Sequence, residues 1–212
     1  MVNHLHNKKP YSFEHLDILM AYQDLHPINQ GKWEQYPYQP SVKFKIGYTD
    51  ISILLKVFVQ ENVIRAKYDQ YNDPVYKDSC FEFFLSLDHN DDYYNFEFNC
   101  IGTPYLAYGN KENREVAPLN ILESIHSISS LGSQTFEEKQ GKFTWNLALS
   151  IPFKCFFKHD VKSLIGKTCG VNFYKCGDEL SQKHFLSWKP IETQIPDFHR
   201  PEYFGELFFN QA

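Results

Sequence analysis

The chain has 212 residues, of which 22% are charged, 42% hydrophobic and 17% aromatic, with 19 Phe and 14 Tyr. This balance speaks against disorder and suits one domain spanning 1–212, and the aromatic bias favours strands over a helical bundle. A net charge of −5 without a basic tract argues against nucleic acid as partner, and no apolar run reaches the roughly 20 residues of a membrane-spanning helix.

Residues 1–40 carry Gly31, Pro27, Pro37 and Pro40 and read as an irregular lead that wraps over the domain. Their first fifteen, MVNHLHNKKPYSFEH, hold no apolar stretch of a secretion signal. The chain as written is therefore expected in the cytoplasm, and outside it if a leader has been removed. From Ile51 to Gln60 the odd positions Ile51, Ile53, Leu55, Val57 and Val59 are apolar; Phe143, Trp145, Leu147, Leu149 and Ile151 repeat the pattern. Such period-two alternation predicts strands with one core face and one polar face. Further strands are predicted at 42–46, 63–67, 80–87, 93–101, 105–108, 125–129, 170–176, 184–188 and 203–209, with short helical turns near 119–123 and 162–164. About ten or eleven short strands imply an all-β fold, an antiparallel β-sandwich of two packed sheets. The five cysteines, at 80, 100, 155, 169 and 176, are odd in number and form no CxxC pair. They read as buried free thiols of a reducing compartment, with neither zinc nor disulfide spacing.

The stretch CFEFFLSLDHNDDYYNFEFN, 80–99, reads as a hairpin turning at HNDD. With Asp88 facing Tyr93, Glu82 is expected opposite Asn99, Phe84 opposite Glu97 and Ser86 opposite Asn95. Phe81, Phe83, Leu85 and Leu87 then fill the core face, since a slip of one residue would bury Glu82 there. The other face gathers Glu82, Asn95, Glu97 and Asn99 beside Phe84. Carboxylates and amides suit sugar hydroxyls, and an aromatic face suits the C–H side of a sugar ring. Asn172 and Tyr174 repeat the theme on 170–176, and Trp188, at a strand end before a loop, is a natural stacking platform. Trp33 has a weaker version of the same case, and Trp145 reads as core.

Two other chemistries fit these residues. Glu82 and Glu97 could act as the carboxyl pair of a glycoside hydrolase. Asp88, Asn90 and Asp92 place oxygen ligands at alternate positions, which suits Ca²⁺, although Tyr93 stands where a Ca²⁺-binding loop of the EF-hand type needs Gly. No HExxH or other close metal spacing occurs among the His residues. Arg114 reads as a solvated charge able to reach over the site. A third reading makes the polar face a protein-interaction surface.

The segments DSCFEFFLSLD, YYNFEFNCIGT, GVNFYKCGD, HFLSWKPI and PDFHRPEYFGELFF, in that order, resemble family 9 carbohydrate-binding modules, in particular the stand-alone family-9-like proteins of Bacteroidetes type within the DOMON-like superfamily. The resemblance covers roughly residues 30–210. It implies a sandwich of jelly-roll or immunoglobulin-like form that grips the end of an oligo- or polysaccharide between two Trp, without catalysis. It places the strand Glu on Glu82, the Asn of the next strand on Asn99 and the late Trp on Trp188. Xylanase-linked members have an Arg where Glu97 stands here, and a second clamp Trp would have to be replaced by Trp33, Tyr71 or Tyr174. No cofactor is implied beyond the structural calcium that some members carry.

Overall fold

Apolar residues at every second position drive the chain into long strands, and a computed structural model describes residues 1–5 and 13–211 of it. In chain order these form β1 (Val2–His4), α1 (Phe13–Met20), β2 (His26–Pro27), β3 (Ser41–Tyr48), β4 (Ser52–Ala66), β5 (Cys80–Ser86), β6 (Tyr93–Asn99), β7 (Pro104–Gly109) and β8 (Arg114–Val116). There follow α2 (Leu119–Leu122), β9 (His126–Ser129), β10 (Phe136–Pro152), β11 (Thr168–Cys176), β12 (Phe185–Ser187) and β13 (Gly205–Asn210). Among the described residues no helix is long and apolar enough to cross a membrane.

The fold is a β-sandwich made from one strongly curled sheet of strand order β8-β7-β6-β5-β11-β13-β1-β3-β4-β10-β9, with β12 on β11 and β2 on β3. The half from β8 to β13 packs its inner face on the half from β3 to β9. Phe44 of β3 stacks on Phe173 of β11 at 3.9 Å, and Phe173 stacks in turn on Phe83 of β5 at 4.9 Å. Trp145, Leu147, Leu149 and Ile151 of β10 and Ile53, Leu55, Val57 and Val59 of β4 complete the core. Ile51, expected to begin this series, lies before β4 and is exposed.

Three expectations change. The lead is not wholly irregular: β1 lies parallel between β13 and β3 and joins the two halves, so the sheet is mixed rather than purely antiparallel. Helix α1 covers the outer face of β4, where Leu16 and Met20 pack on Leu54 and Ala148. Residues 6–12 lie outside the described residues. The predicted strands 51–60 and 63–67 are one 15-residue strand. It continues through Glu61 because that carboxylate is bonded inside the fold, accepting from Trp145 Nε1 at 2.7 Å and pairing with Lys175 Nζ at 2.9 Å. The helical turn at 119–123 is present as α2, whereas 162–164 holds none and a short 3₁₀ turn lies at Phe153–Cys155 instead.

Candidate functional site

The hairpin of β5 and β6 carries the candidate site, in a register two residues away from the expected one. Glu82 pairs with Glu97, Phe84 with Asn95 and Cys80 with Asn99. The difference arises at the turn, which is longer than HNDD. Ser86 leaves the ladder and donates to the carbonyls of Asn90 and Asp92 at 3.3 and 2.9 Å. Because side chains alternate with period two, a shift of two keeps every residue on its expected face. It does bring two carboxylates directly opposite each other.

That face is not a solvated surface. The segments around Trp33, Val75, Ile191 and Phe198 fold over it as a second hydrophobic layer that includes Phe84, Tyr93 and Tyr174. A cavity of about 430 Å³ remains between this layer and the sheet. Glu82, Asn95, Glu97 and Asp178 line it from the sheet side and Tyr76, Tyr105, Phe185 and Phe198 supply its aromatic walls; Arg114, Asp197 and His199 also border it. Phe198 is held by Tyr174, whose ring stacks on it at 4.3 Å and whose hydroxyl donates to its carbonyl at 3.2 Å. Trp33 backs both Phe185 and Phe198, and its Nε1 donates to the Thr193 carbonyl.

The polar atoms of the cavity are incompletely satisfied from within. Asn95 Nδ2 donates to Glu97 Oε1 at 3.0 Å, yet Asn95 Oδ1 and Glu97 Oε2 are buried with no hydrogen-bond partner. Native proteins leave few such atoms, so two acceptors side by side call for a donor from outside the chain. Glu82 Oε1 accepts from Cys176 Sγ at 3.0 Å. Burial, reinforced by the charge of Glu97, raises the Glu82 carboxyl well above its ordinary range, and burial pushes Glu97 up to about 7. Asp178 is raised to about 6, again by burial. His199 moves the other way: burial and then Arg114 lower it to about 4, so its ring is neutral at neutral pH. Arg114 Nη1 lies 2.7 and 2.8 Å from the two His199 ring nitrogens, and the Tyr93 hydroxyl lies 2.8 Å from Nδ1.

Of the sequence-predicted residues, Glu82, Asn95 and Glu97 meet in the cavity, and the others stand behind or away from it. Asn99 is a strut: its Nδ2 donates to the Tyr68 carbonyl and Asp78, and its Oδ1 accepts from Thr103 N. Asn172 Oδ1 accepts from Lys189 N at 2.9 Å and fixes the strand end after Trp188. Tyr174 is fully buried and supports Phe198 without lining the cavity. Trp188 packs edge-on against Phe173 and Phe44 of the main core and also does not reach the cavity. A Cβ on Gly205 would meet the Lys189 side chain at 2.5 Å and the Trp188 ring at 3.0 Å, so this glycine lets both side chains lie close over β13. Arg114 is exposed, as a solvated charge would be, and also borders the cavity. The lining residues Tyr76, Tyr105, Phe185 and Phe198 carry no pattern that marks them in sequence, since they come from four separate segments: the turn at Val75–Lys77, β7, β12 and the stretch before β13. Tyr71, one of the substitutes for a second Trp, is exposed and not part of the lining.

Each of the oxygen ligands expected for Ca²⁺ has a partner within the chain. Asp88 Oδ2 pairs with His159 Nε2 at 2.9 Å, Asn90 Oδ1 accepts from Asp92 N, and Asp92 Oδ1 accepts from Asn110. Each side chain serves the turn or a neighbouring loop, so the residues act as hairpin chemistry. All five cysteines are buried and free. Cys80, Glu82 and Cys176 form the one close group of three metal-type donors among the described residues. Burial raises both thiols, Cys80 to about 12, and Cys176 Sγ donates to Glu82 Oε1.

The profile of carbohydrate-binding family 9 matches residues 14–209. A crystal structure of a candidate carbohydrate-binding protein from Bacteroides uniformis is 40% identical, with a TM-score of 0.95 over 99% of this chain and 97% of that one. Two structures of a family 9 module from Caldicellulosiruptor kristjanssonii share the fold at 12% identity. The complex with glucose has a TM-score of 0.66 over 99% of this chain and 95% of that one. The complex with cellotriose has 0.63 over 100% and 95%. Among curated proteins none matches the chain. With nearly its whole length under one profile, and with the β-sandwich that the profile implies, this chain belongs to carbohydrate-binding family 9.

Proposed function

We propose that the chain binds carbohydrate without catalysis, and that the cavity over β5 and β6 is its site. The observation that carries the assignment of the site is the pair of buried, unpartnered acceptors, Asn95 Oδ1 and Glu97 Oε2, set below aromatic walls. Sugar hydroxyls supply the missing donors, and the C–H faces of a sugar ring cover Phe198 or Tyr105. A volume of about 430 Å³ falls at the small end of ligand pockets. It therefore suits the end of a saccharide rather than a length of chain. Glu82 and Glu97 divide the hydrogen-bonding work: the shared burial keeps a proton on the pair near neutral pH, so it both donates and accepts. Phe185 and Phe198 take the place that the resemblance gives to tryptophan.

Isothermal titration against glucose, cellobiose and cellotriose tests this reading. Binding that Glu97→Ala and Phe198→Ala each weaken by about tenfold or more supports it. Binding that both variants retain would move the site elsewhere, and release of reducing sugar abolished by Glu82→Gln would assign hydrolysis in place of binding.

A further inference from the structure

Among the described residues the acidic side of the cavity holds no ion pair. Glu82, Glu97 and Asp178 form that side, and among the described residues no basic side chain lies within ion-pair reach of any of the three. The basic groups nearby have other partners. Lys111 Nζ pairs with Asp197 at 2.7 Å, and Arg114, the one basic lining residue, is turned to His199, so its charge favours ionised Glu82 and Glu97 only through space, without an ion pair. Elsewhere the protein does pair its buried charges, as Arg65 with Asp78 at 2.9 Å and Lys175 with Glu61 at 2.9 Å show. Buried carboxylates left without a cation are costly, and placing Glu82 directly across from Glu97 adds mutual repulsion.

A neutral sugar hydroxyl would satisfy a hydrogen bond here and leave the pair holding the proton that its burial favours. An ammonium group supplies up to three N–H donors together with a full positive charge. The free atoms fit that demand: Asn95 Oδ1 and Glu97 Oε2 both accept, and neither residue is more than one-tenth exposed. We propose that the cavity selects a sugar bearing a free amine, with its ammonium seated against Glu97 and Glu82. This inference rests on the carbohydrate-binding reading of the same cavity and names its ligand class. The burial that raises these carboxyls is relieved by a bound cation, which holds them ionised. A uronic acid, whose carboxylate would face three others, is excluded by the same charge.

Calorimetric titration at pH 7 compares matched pairs: glucosamine with glucose, galactosamine with galactose, and the glucosamine β-1,4 disaccharide with cellobiose, with glucuronate as the acidic control. The expected result is that the amine of at least one pair binds about tenfold or more tightly than its neutral parent, that glucuronate does not bind, and that Glu97→Gln or Glu82→Gln removes most of the preference. Neutral parents binding as tightly as the amines would overturn the inference and leave the carbohydrate reading standing. An amine preference that survives both substitutions would also overturn it, because the cation would then sit elsewhere. No binding by any sugar would overturn both.

Discussion

Glu97 shows how much one side chain can carry. Its carboxyl is raised to about 7 by burial, whereas in an unfolded chain it ionises near 4.5. The native state therefore holds a proton that the unfolded state releases, and between those values stability falls as pH rises. Glu97→Gln cannot ionise, so in urea melts the variant should gain on the wild type from pH 5 to pH 8, by on the order of 2–3 kcal/mol. His199 acts in the opposite sense. Its folded value of about 4 lies below the 6.5 of a free imidazole, so its contribution to stability grows between those values as pH rises. The wild type therefore combines two opposing slopes below pH 7, and the variant exposes the imidazole slope more fully. A second residue-scale expectation separates the two aromatic candidates. Trp188→Ala should lower the melting midpoint, with a cost of about 2–3 kcal/mol because the ring is half-buried against the core, while sugar affinity at the cavity stays within about twofold. Calorimetry on the one variant reads both quantities.

At the level of elements, the cavity exists because β5, β6 and β11 are covered on both faces. Their inner faces join the main core, and their outer faces lie under the layer of Trp33, Ile191 and Phe198. A buried polar joint ties β11 to the other half of the sandwich. Lys175 of β11 reaches Glu61 of β4 at 2.9 Å and His184 Nε2 at 2.7 Å, and Trp145 of β10 donates to the same glutamate. Burial and the neighbouring ammonium lower His184 well below its ordinary value, which leaves a neutral ring that accepts from Lys175. Removing one partner strands the other charge in the core. Lys175→Met is therefore expected to cost about 3–5 kcal/mol in chemical denaturation, and Lys175→Met with Glu61→Gln should recover part of that loss. Asp78, which precedes β5, forms a similar joint, accepting from Arg65 Nε, from the backbone N–H groups of Lys67 and Tyr68, and from Asn99. The D-S-x-x-E motif thus combines an anchor, Asp78, with a cavity-facing residue, Glu82, and only the second was readable as a candidate from its strand pattern.

For the whole molecule, β1 closes the sandwich by pairing with β13 on one side and β3 on the other. Val2 is fully buried, so Val2→Asp should lower stability by several kcal/mol through an unpaired buried charge, measurable as a shift in the denaturation midpoint. Much of this architecture was legible from residues alone. Period-two alternation placed most strands within a few residues and assigned the correct faces, because burying one face of a strand leaves a two-residue rhythm that needs no partner to be seen. The same rhythm put Glu82, Asn95 and Glu97 on one face even though the register was wrong by two. Helix α1 and strand β1 were not read, since a short helix and a three-residue strand owe their stability to packing and pairing rather than to local pattern. Nor could sequence tell Trp188 from Phe198: both are aromatic residues near loops, and only the folded chain decides which one turns into the core. The sequence by itself determined the strands, their faces and the family. Tertiary structure decided the register of the hairpin, the layer of distant segments over it and the unpaired acidic groups beneath that layer, because each depends on contacts between segments far apart in the chain.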